Sequence, residues 1–346
     1  MAKFFRDLKN RVKKLPYMIQ LYEWMVIKLR TPRVKLTVKT HYSYGTENAD
    51  RKFYLIRCNN IHNGLFSTVF YILPYIRYAL KKHYIPVIDL KNTYLPLLQD
   101  GDKKGYENAW EYYYEQPIEG YSLDDVFQSK QVIHMTEDKE RIVPYVHWDS
   151  MFPTSNKQLH YWHTIINCYL RLNKTLESKI NDCMNNIFPH NARIMGVSIR
   201  AGFYAGMLLD DSLFKGHPKA TNCEEYIEIT EAKMKEWNCS YIFLAVDDRE
   251  YLEKFKDYFK DRCLYVEREL IHYFENDVPV TDPRRRLMEF EDVSIYKRNE
   301  DYIIETYLLA KCTSLYSCIS GQGKLAYFVN GGRYAKLQVY DEGIII

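Results

Sequence analysis

Strand-like apolar runs alternate with amphipathic stretches along the second half of the chain. Short β-forming runs predict buried strands, and the stretches between them carry the apolar spacing of helices. The predicted strands cover residues 194–199, 240–246, 263–266 and 314–320, and the predicted helices cover 223–237, 249–258, 302–311 and 324–329. Because such alternation is typical of a parallel sheet covered by helices, we expect an α/β fold here.

The first half contains one strand–loop–helix–strand unit, which is the βαβ unit of a Rossmann-like half. Its four parts fall at residues 53–57, 58–64, 65–82 and 85–89. Further short strands, a long helical region and a linker are predicted at 132–146, 159–184 and 186–191. A chain of 346 residues can hold two domains, and we place them at 51–190 and 191–346.

Residues 108–117 interrupt the alternation with a stretch that is dense in aromatic side chains and carries Glu111 and Glu115. Aromatic faces stack on sugar rings and carboxylates accept hydrogen bonds from hydroxyls, so the stretch fits a sugar site. A lid packed on the first domain explains the same composition equally well.

Residues 1–50 precede the first domain and are predicted to form a basic arm. Within residues 1–36, apolar positions recur three or four apart with lysines and arginines between them, and Pro16 interrupts the pattern. The apolar piece at 18–29 is shorter than the roughly 20 residues of a spanning helix, and no small-residue cleavage site follows it. Two interpretations remain open: a helix on an anionic membrane surface, or an arm packed on the protein. We expect a cytoplasmic protein, with peripheral contact at the inner membrane face as the first alternative.

Composition argues for a globular protein that binds neither nucleic acid nor a structural metal. The apolar fraction is 47%, the charged fraction is 27% and the net charge is only +3. The eight cysteines form no CxxC pair, and no histidine cluster has zinc-ligand spacing.

Charged side chains follow the predicted strands of the second half. Arg200 follows the strand at 194–199, and Asp247 and Asp248 follow the strand at 240–246. Ligands of open α/β sheets bind beyond the carboxyl ends of the strands, and the planar fork of arginine suits a phosphate pair. Arg200 is therefore a candidate for holding the diphosphate of a nucleotide donor. A strand-terminal arginine paired with a surface carboxylate would give the same pattern.

A glycine turn provides a second candidate anion site. Ser320 ends the last long strand, and Gly321, Gln322 and Gly323 follow it directly, before the predicted helix. Backbone N–H groups at such a turn can hold an anion. With Arg200 at a neighbouring strand end, this turn predicts a nucleotide pocket.

Weaker candidates lie in loops. Asn63 and Gly64 form a turn whose N–H groups suit an anion or a sugar hydroxyl, and a plain helix-start turn is the alternative. His62 and His217 are candidate bases for an acceptor hydroxyl, each with a structural role as the alternative, and Asp210 and Asp211 are equally open.

Three ordered segments of the second half resemble the fucosyltransferase superfamily, in the bacterial and viral branch of the group that includes protein O-fucosyltransferases and α-1,6-fucosyltransferases. The segments are GVSIR at 196–200 with GHP at 216–218, IFLAVDD at 242–248, and ISGQGKLA at 319–326. HNGLF at 62–66 adds a looser match, so the resemblance covers residues 53–340.

The resemblance implies a GT-B architecture, in which two Rossmann-like domains face each other across a cleft. It implies inverting, metal-independent transfer of fucose from GDP-fucose, with that donor as substrate and no cofactor. By position, Arg200 would neutralise the donor diphosphate, Asp247 beside Asp248 would lie near the guanine or ribose, and residues 320–323 would bind phosphate through N–H groups. The acceptor suggested by context is a capsule or O-antigen type of glycan, built on a lipid carrier.

The chain departs from the family pattern around the arginine. Ser198 stands where the family pattern has a histidine. Ala201, Gly202 and Phe203 stand where the family commonly carries a carboxylate. Two alternatives therefore stand beside the fucosyltransferase hypothesis: use of another nucleotide sugar on the same fold, and a non-catalytic protein that binds a sugar or nucleotide.

Overall fold

The computed structural model describes residues 40–58, 64–91, 98, 105–135, 156–210, 217–280 and 294–343. The first half is built on a four-stranded sheet, whose strands lie in the order β1-β4-β2-β3. In chain order its elements are β1 (His41–Tyr42), β2 (Phe53–Ile56), α1 (Leu65–Lys81), β3 (Ile85–Ile88), α2 (Leu123–Gln128) and β4 (Val132–His134). Strand β2 runs parallel to β3 and β4, and α1 connects β2 to β3, as the βαβ pattern predicts.

Two helices follow this sheet, α3 (Asn156–Tyr169) and α4 (Lys174–Ile187). The sequence pattern predicts one helical region at 159–184, and the structure corrects this. The side chain of Asn173 accepts a hydrogen bond from the Leu176 N–H group at 2.9 Å, which starts a new helix. Leu172 pairs with Tyr114 in an isolated bridge, so the chain between the helices is extended.

The second half is built on a five-stranded parallel sheet in the order β11-β10-β5-β6-β7. Its strands are β5 (Ile194–Ile199), β6 (Tyr241–Val246), β7 (Cys263–Leu264), β10 (Ser314–Cys318) and β11 (Leu337–Tyr340); β8 (Phe274–Glu275) and β9 (Val278–Pro279) form a separate hairpin. Every residue of β5 is buried, as its apolar sequence predicts. The predicted α/β class, with two Rossmann-like halves, is confirmed by these two sheets.

The helices of the second half are α5 (Ala201–Asp210), α6 (Cys223–Glu236), α7 (Arg249–Phe259), α8 (Ile295–Lys311) and α9 (Gly321–Asn330). Several predicted boundaries were wrong. The strand at 263–266 ends at Leu264, the strand at 314–320 ends at Cys318, and the helix predicted at 302–311 starts at Ile295, where the Ser294 hydroxyl caps it. The chain after Arg200 forms α5 directly, whereas the sequence predicts a turn and a loop.

One apolar core joins the two halves. It contains Ile56 and Phe70 from the first half together with Phe243, Ile304 and Phe328 from the second. Helices α3 and α4, which the predicted boundary at residue 190 assigns to the first domain, pack against α9 and α8 respectively. The division at 51–190 and 191–346 therefore stays a prediction: the sheets lie on either side of it, but the helices cross it.

The aromatic stretch at 108–117 is packed into this body. Trp110, Tyr113 and Tyr114 are buried, and the Tyr113 ring stacks on Tyr296 with 5.7 Å between centroids. These contacts favour the packed interpretation over a sugar-lining surface. Of the arm predicted at residues 1–50, residues 1–39 lie outside the described residues, whereas β1 (His41–Tyr42) pairs with β4 in the first sheet. Among the helices that are described, none has the length and apolar character that crossing a membrane requires.

Candidate functional site

Arg200 stands where the carboxyl ends of three neighbouring strands meet. Strand β5 lies between β10 and β6 in the second sheet, and all three run parallel. Arg200 follows β5 and Asp247 follows β6, while Ser320 lies two residues beyond β10. The structure therefore brings these predicted site residues to one edge of the sheet.

The Arg200 guanidinium is fixed on two sides and open on a third. Its Nε lies 3.0 Å from Asp247 Oδ2, in an ion pair without the alignment of a hydrogen bond. Its Nη1 donates a hydrogen bond of 2.8 Å to the Tyr302 hydroxyl. In the part of the chain that the structure describes, Nη2 has no hydrogen-bond partner, and the side chain is 23% exposed. A ligand anion can therefore approach the outer side of the fork.

Aromatic rings complete the surroundings of Arg200. The guanidinium carbon lies 5.2 Å from the Phe203 ring centroid and 5.8 Å from that of Tyr302, within cation–π range. Burial acts to lower the pKa of Arg200, and the neighbouring Tyr302 and Asp247 more than offset it, so its pKa is raised. Arg200 is charged at every physiological pH.

Asp247 serves Arg200 and the start of α5 at once. Its Oδ1 accepts a hydrogen bond of 2.7 Å from the Ala201 N–H group, and its Oδ2 faces Arg200. A carboxylate at a helix N-terminus is favourable, which explains why α5 begins directly after Arg200. Both oxygens are engaged, so this geometry favours a positioning role for Asp247 over the predicted contact with guanine or ribose. The alternative prediction paired Arg200 with a surface carboxylate. Arg200 is indeed paired with a carboxylate, that of Asp247, but this side chain is only 15% exposed.

Asp248 differs from its neighbour because its side chain is fully buried. One carboxylate oxygen accepts from the Tyr251 N–H group at 3.0 Å and the other from the Tyr273 N–H group at 2.7 Å. Burial raises its pKa to about 6. Asp248 caps α7 and holds the following loop, and the nucleotide contact predicted for it stays a prediction.

The glycine turn is the first turn of α9. The Ser320 hydroxyl accepts from the Gly323 N–H group at 3.1 Å, so the helix begins at Gly321 and not at 324. Within the described residues, the N–H groups of Gly321 and Gln322 have no acceptor, as expected at a helix start. Of the anion site predicted at residues 320–323, these two N–H groups and the positive end of the helix are therefore left to bind an anion.

The first half reaches this site through the start of α1. A Cβ atom added at Gly321 would lie 2.9 Å from Phe66 Cβ, so the backbones approach closely here. The Phe66 ring packs on Tyr302 with 4.6 Å between centroids. Gly64 caps α1 with an extended backbone and contributes no side chain. Of the predicted loop residues before it, His62 and Asn63 lie outside the described residues.

His217 does not contact Arg200 directly. Its ring meets Phe203 edge-on with 5.3 Å between centroids, and Phe203 in turn faces Arg200. Asp210 is exposed at the last residue of α5, separated from Arg200 by about 15 Å of helix. Asp211 lies outside the described residues. Asp210 is therefore poorly placed to replace the carboxylate that the family carries after its arginine.

A buried polar network that sequence reasoning missed supports the start of α9. Ser198 Oγ donates to Gln322 Oε1 at 2.9 Å, and Gln322 Nε2 donates to Glu305 Oε2 at 3.3 Å. Glu305 pairs with Arg268 in a two-pronged contact of 2.8 and 3.2 Å. Arg268 also donates to the carbonyl of Val246 at the end of β6, at 3.0 Å. The network ties β5, β6, α8 and α9 together beneath the site.

Among the described residues, no group of histidine, cysteine, aspartate or glutamate side chains could hold a metal ion. The positive potential at this edge comes from Arg200 and from the start of α9.

No family model matches the sequence, and no curated protein sequence matches it. Among solved structures, the chain is similar to the crystal structure of NodZ α-1,6-fucosyltransferase soaked with GDP-fucose, with 14% identity over 81% of this chain and 92% of that one and a TM-score of 0.45. The crystal structure of fucosyltransferase NodZ from Bradyrhizobium has 14% identity, the same coverage and a TM-score of 0.43. POFUT1 in complex with GDP-fucose has 10% identity over 85% of this chain and 99% of that one, with a TM-score of 0.46. At these identities the similarity is one of fold, to solved structures of fucosyltransferases.

Proposed function

We propose that this protein is a glycosyltransferase that transfers fucose from GDP-fucose to a glycan, with inversion and without a metal ion. The observation that carries the proposal is the position of Arg200. Its fork is held by Asp247 and Tyr302, and its outer nitrogen is open at the strand edge where α9 begins. This arrangement suits the diphosphate of a nucleotide sugar.

Such a site favours the transition state of glycosyl transfer. As the bond between the anomeric carbon and the diphosphate oxygen breaks, negative charge grows on the leaving diphosphate. Arg200 and the N–H groups of Gly321 and Gln322 supply positive potential that is in place beforehand, so no reorganisation is needed as the charge develops. In this mechanism Asp247 positions Arg200, and Ser320 fixes the first turn of α9 through Gly323.

The identity of the donor rests on the motif resemblance, and that of the acceptor rests on the basic arm predicted at the start of the chain. GDP-fucose is the donor implied by the segments at 196–200, 242–248 and 319–326. We propose a lipid-linked glycan of the capsule or O-antigen type as acceptor, with residues 1–36 touching an anionic membrane surface from the cytoplasmic side. His62 and Asn63 remain candidates for contact with the acceptor, because they come directly before Gly64 in the sequence.

A non-catalytic nucleotide-binding protein is the second candidate. One observation favours it: the first turn of α5, directly after Arg200, consists of Ala201, Gly202 and Phe203 and offers no carboxylate. Such a protein would bind GDP-fucose without releasing GDP from it.

Thermal unfolding in EDTA with a panel of nucleotides tests the donor class. A ligand at one hundred times its Kd adds about 2.7 kcal/mol to the free energy of unfolding. We expect GDP and GDP-fucose to raise the Tm, and UDP and CMP to leave it unchanged. A shift with another nucleotide would change the donor, and no shift with any of them would contradict the proposal. Release of GDP from GDP-fucose then separates the enzyme from the non-catalytic binder.

A further inference from the structure

The outer face of the first sheet, opposite α1, carries a polar cluster at the carboxyl ends of three parallel strands. Phe53, Leu55 and Arg57 alternate onto this face, and Val87 with Asp89 do the same on the neighbouring strand. His134 ends β4 on the same face, two residues after Val132. The apolar members form a small core with α2, and the polar members lie beyond it at the strand ends.

Arg57 and Asp89 form a closely bonded pair in this cluster. Arg57 Nε donates to Asp89 Oδ2 at 2.7 Å, Nη2 lies 2.6 Å from the same oxygen, and Asp89 itself is fully buried. The Lys91 N–H group donates to its other oxygen at 3.0 Å. Arg57 is 33% exposed, and its Nη1 has no hydrogen-bond partner within the described ranges. The pair carries no net charge but presents a polarised N–H donor.

Aromatic rings lie beside this donor. The Tyr42 ring stacks on His134 with 4.1 Å between centroids, and Tyr44 lies nearly parallel to Tyr42 at 6.0 Å. The Tyr44 hydroxyl is 2.7 Å from His134 Nε2, and Phe127 meets the Tyr44 ring edge-on. Tyr44 and Phe127 are 41% and 38% exposed, so both rings are accessible to a ligand. Burial and the Arg57 charge lower the pKa of His134, so its ring is neutral at pH 7 and can form a hydrogen bond with a hydroxyl group.

We propose that Tyr42, Tyr44, Phe127, His134 and Arg57 form a binding site for a neutral sugar ring, which we call the aromatic platform. An exposed aromatic face attracts the C–H face of a sugar, and Arg57 Nη1 can donate a hydrogen bond to one of its hydroxyls. His134, whose Nε2 meets the Tyr44 hydroxyl, orients the Tyr44 ring. Two nitrogens of Arg57 lie within 2.7 Å of Asp89, a closer pairing than the single 3.0 Å contact of Arg200 with Asp247, so an acidic sugar gains less net attraction here. The occupant is therefore a neutral glycan.

The platform lies at the strand-end edge of the first sheet, the edge at which α1 also begins. The chain leaves β2 at Arg57 and re-enters the described structure at Gly64, where α1 begins. Phe66, in the first turn of α1, packs on Tyr302 and lies against Gly321 at the donor site. The assignment of the platform to the acceptor glycan rests on the proposed function. Its ability to bind a carbohydrate can be tested independently of that function.

Saturation-transfer difference NMR with the full chain tests the platform. The probes are methyl glycosides of glucose, galactose, mannose and N-acetylglucosamine, with methyl glucuronide as the anionic arm. We expect saturation of the C–H protons of at least one neutral glycoside, and Tyr44→Ala to weaken its binding about fivefold or more. Tyr44→Phe keeps the ring and retains most of the binding. Tyr258→Ala, which removes a tyrosine that is 46% exposed on α7 of the second half, serves as the control and should behave like the wild type.

Three results would overturn the platform: no neutral glycoside binds, Tyr44→Ala binds as the wild type does, or methyl glucuronide alone binds. A parallel titration of the wild-type protein with GDP keeps the two proposals apart. Sugar binding without GDP binding would leave the platform standing and remove the donor site, and GDP binding without sugar binding would do the reverse.

Discussion

Arg200 is held in place before any ligand arrives. The ion pair with Asp247 and the hydrogen bond to Tyr302 fix its Nε and Nη1, which leaves Nη2 for a phosphate oxygen. An arginine that is already oriented loses less side-chain entropy on binding than a free one. At this scale, the affinity for a diphosphate depends on side chains that need not touch it.

Tyr302→Phe tests this positioning. The change removes the hydroxyl that accepts from Arg200 while it keeps the ring that packs on Phe66. Because one hydrogen bond to a charged group contributes about 1.5–3 kcal/mol, we expect GDP affinity to fall about tenfold or more. Isothermal titration measures the loss, and Tyr258→Phe on the exposed side of α7 is the control. Unchanged affinity in Tyr302→Phe would mean that Arg200 needs no such support.

Lys324 gives the protein a pH-dependent stability that can be measured. It is buried in α9 with Nζ 4.9 Å from the Phe70 ring centroid, and burial lowers its pKa from 10.5 to about 7. Between these values the unfolded chain binds a proton that the folded chain does not, so the free energy of unfolding rises with pH over this window. Lys324→Met should therefore stabilise the protein by about 1 kcal/mol or more at pH 7, and by less towards pH 10.

Urea unfolding at pH 7 and pH 10 measures this difference. Lys311→Met is the matched control, because Lys311 is exposed at the end of α8 and its replacement should give no change that varies with pH. An equal effect of Lys324→Met at both pH values would contradict the assignment.

The residues of the site were only partly predictable. Arg200 and Asp247 were found because the carboxyl end of a strand is visible in the apolar pattern. Tyr302 was missed because it lies 102 residues from Arg200 and sits within a helix pattern that gives no sign of a polar role. Arg268 and Glu305 are 37 residues apart, and nothing in their local sequence marks them as a buried pair. Contacts of this kind depend on tertiary packing.

Among the elements, the start of α9 is set by close packing between the two halves. Gly321 lies against Phe66, and Gly323 lies against Ser317 of β10. A helix with larger side chains here could not approach both neighbours. Glycine thus has a packing role at these positions, in addition to the turn that the sequence suggests.

Gly321→Ala should lower the free energy of unfolding for this reason. The added Cβ would lie 2.9 Å from Phe66 Cβ, closer than ordinary contacts, and overpacking of this kind costs about 1–3 kcal/mol. Gly64→Ala is the control, since a Cβ there meets nothing within 4 Å. Urea unfolding of both variants measures the difference. Equal losses of stability would show that the contact between Gly321 and Phe66 is looser than this distance implies.

Element boundaries explain where sequence reasoning failed. The Gly-Gln-Gly segment was interpreted as a loop because glycine usually interrupts helices, yet Ser320 caps a helix that already includes these residues. The order and type of most elements were predicted correctly, because each strand and helix carries its own periodicity. Their ends depend on single hydrogen bonds, such as the Asp247 contact that starts α5.

At the scale of the whole molecule, the two large sheets of the described residues share one apolar core cluster, and two smaller clusters lie beside it. Helices of the first half pack on α8 and α9, and Lys179 of α4 forms an ion pair of 2.6 Å with the buried Glu300 of α8. Domains that share so much apolar surface unfold together. We therefore expect one calorimetric transition, whose midpoint coincides with the loss of near-UV circular dichroism. Two separable transitions would instead support independent domains divided near residue 190.

The central claim is that Arg200 holds the donor diphosphate, and the preference for GDP over GMP tests it most directly. Titration calorimetry compares the wild type with Arg200→Ala and with Arg193→Ala, which alters the arginine just before the opposite end of β5. We expect the wild type and Arg193→Ala to bind GDP about tenfold or more tightly than GMP, because the second phosphate adds charge-assisted hydrogen bonds. Arg200→Ala should bind both nucleotides with similar, weak affinity. If Arg200→Ala keeps the wild-type preference for GDP, Arg200 does not meet the diphosphate and the account is wrong.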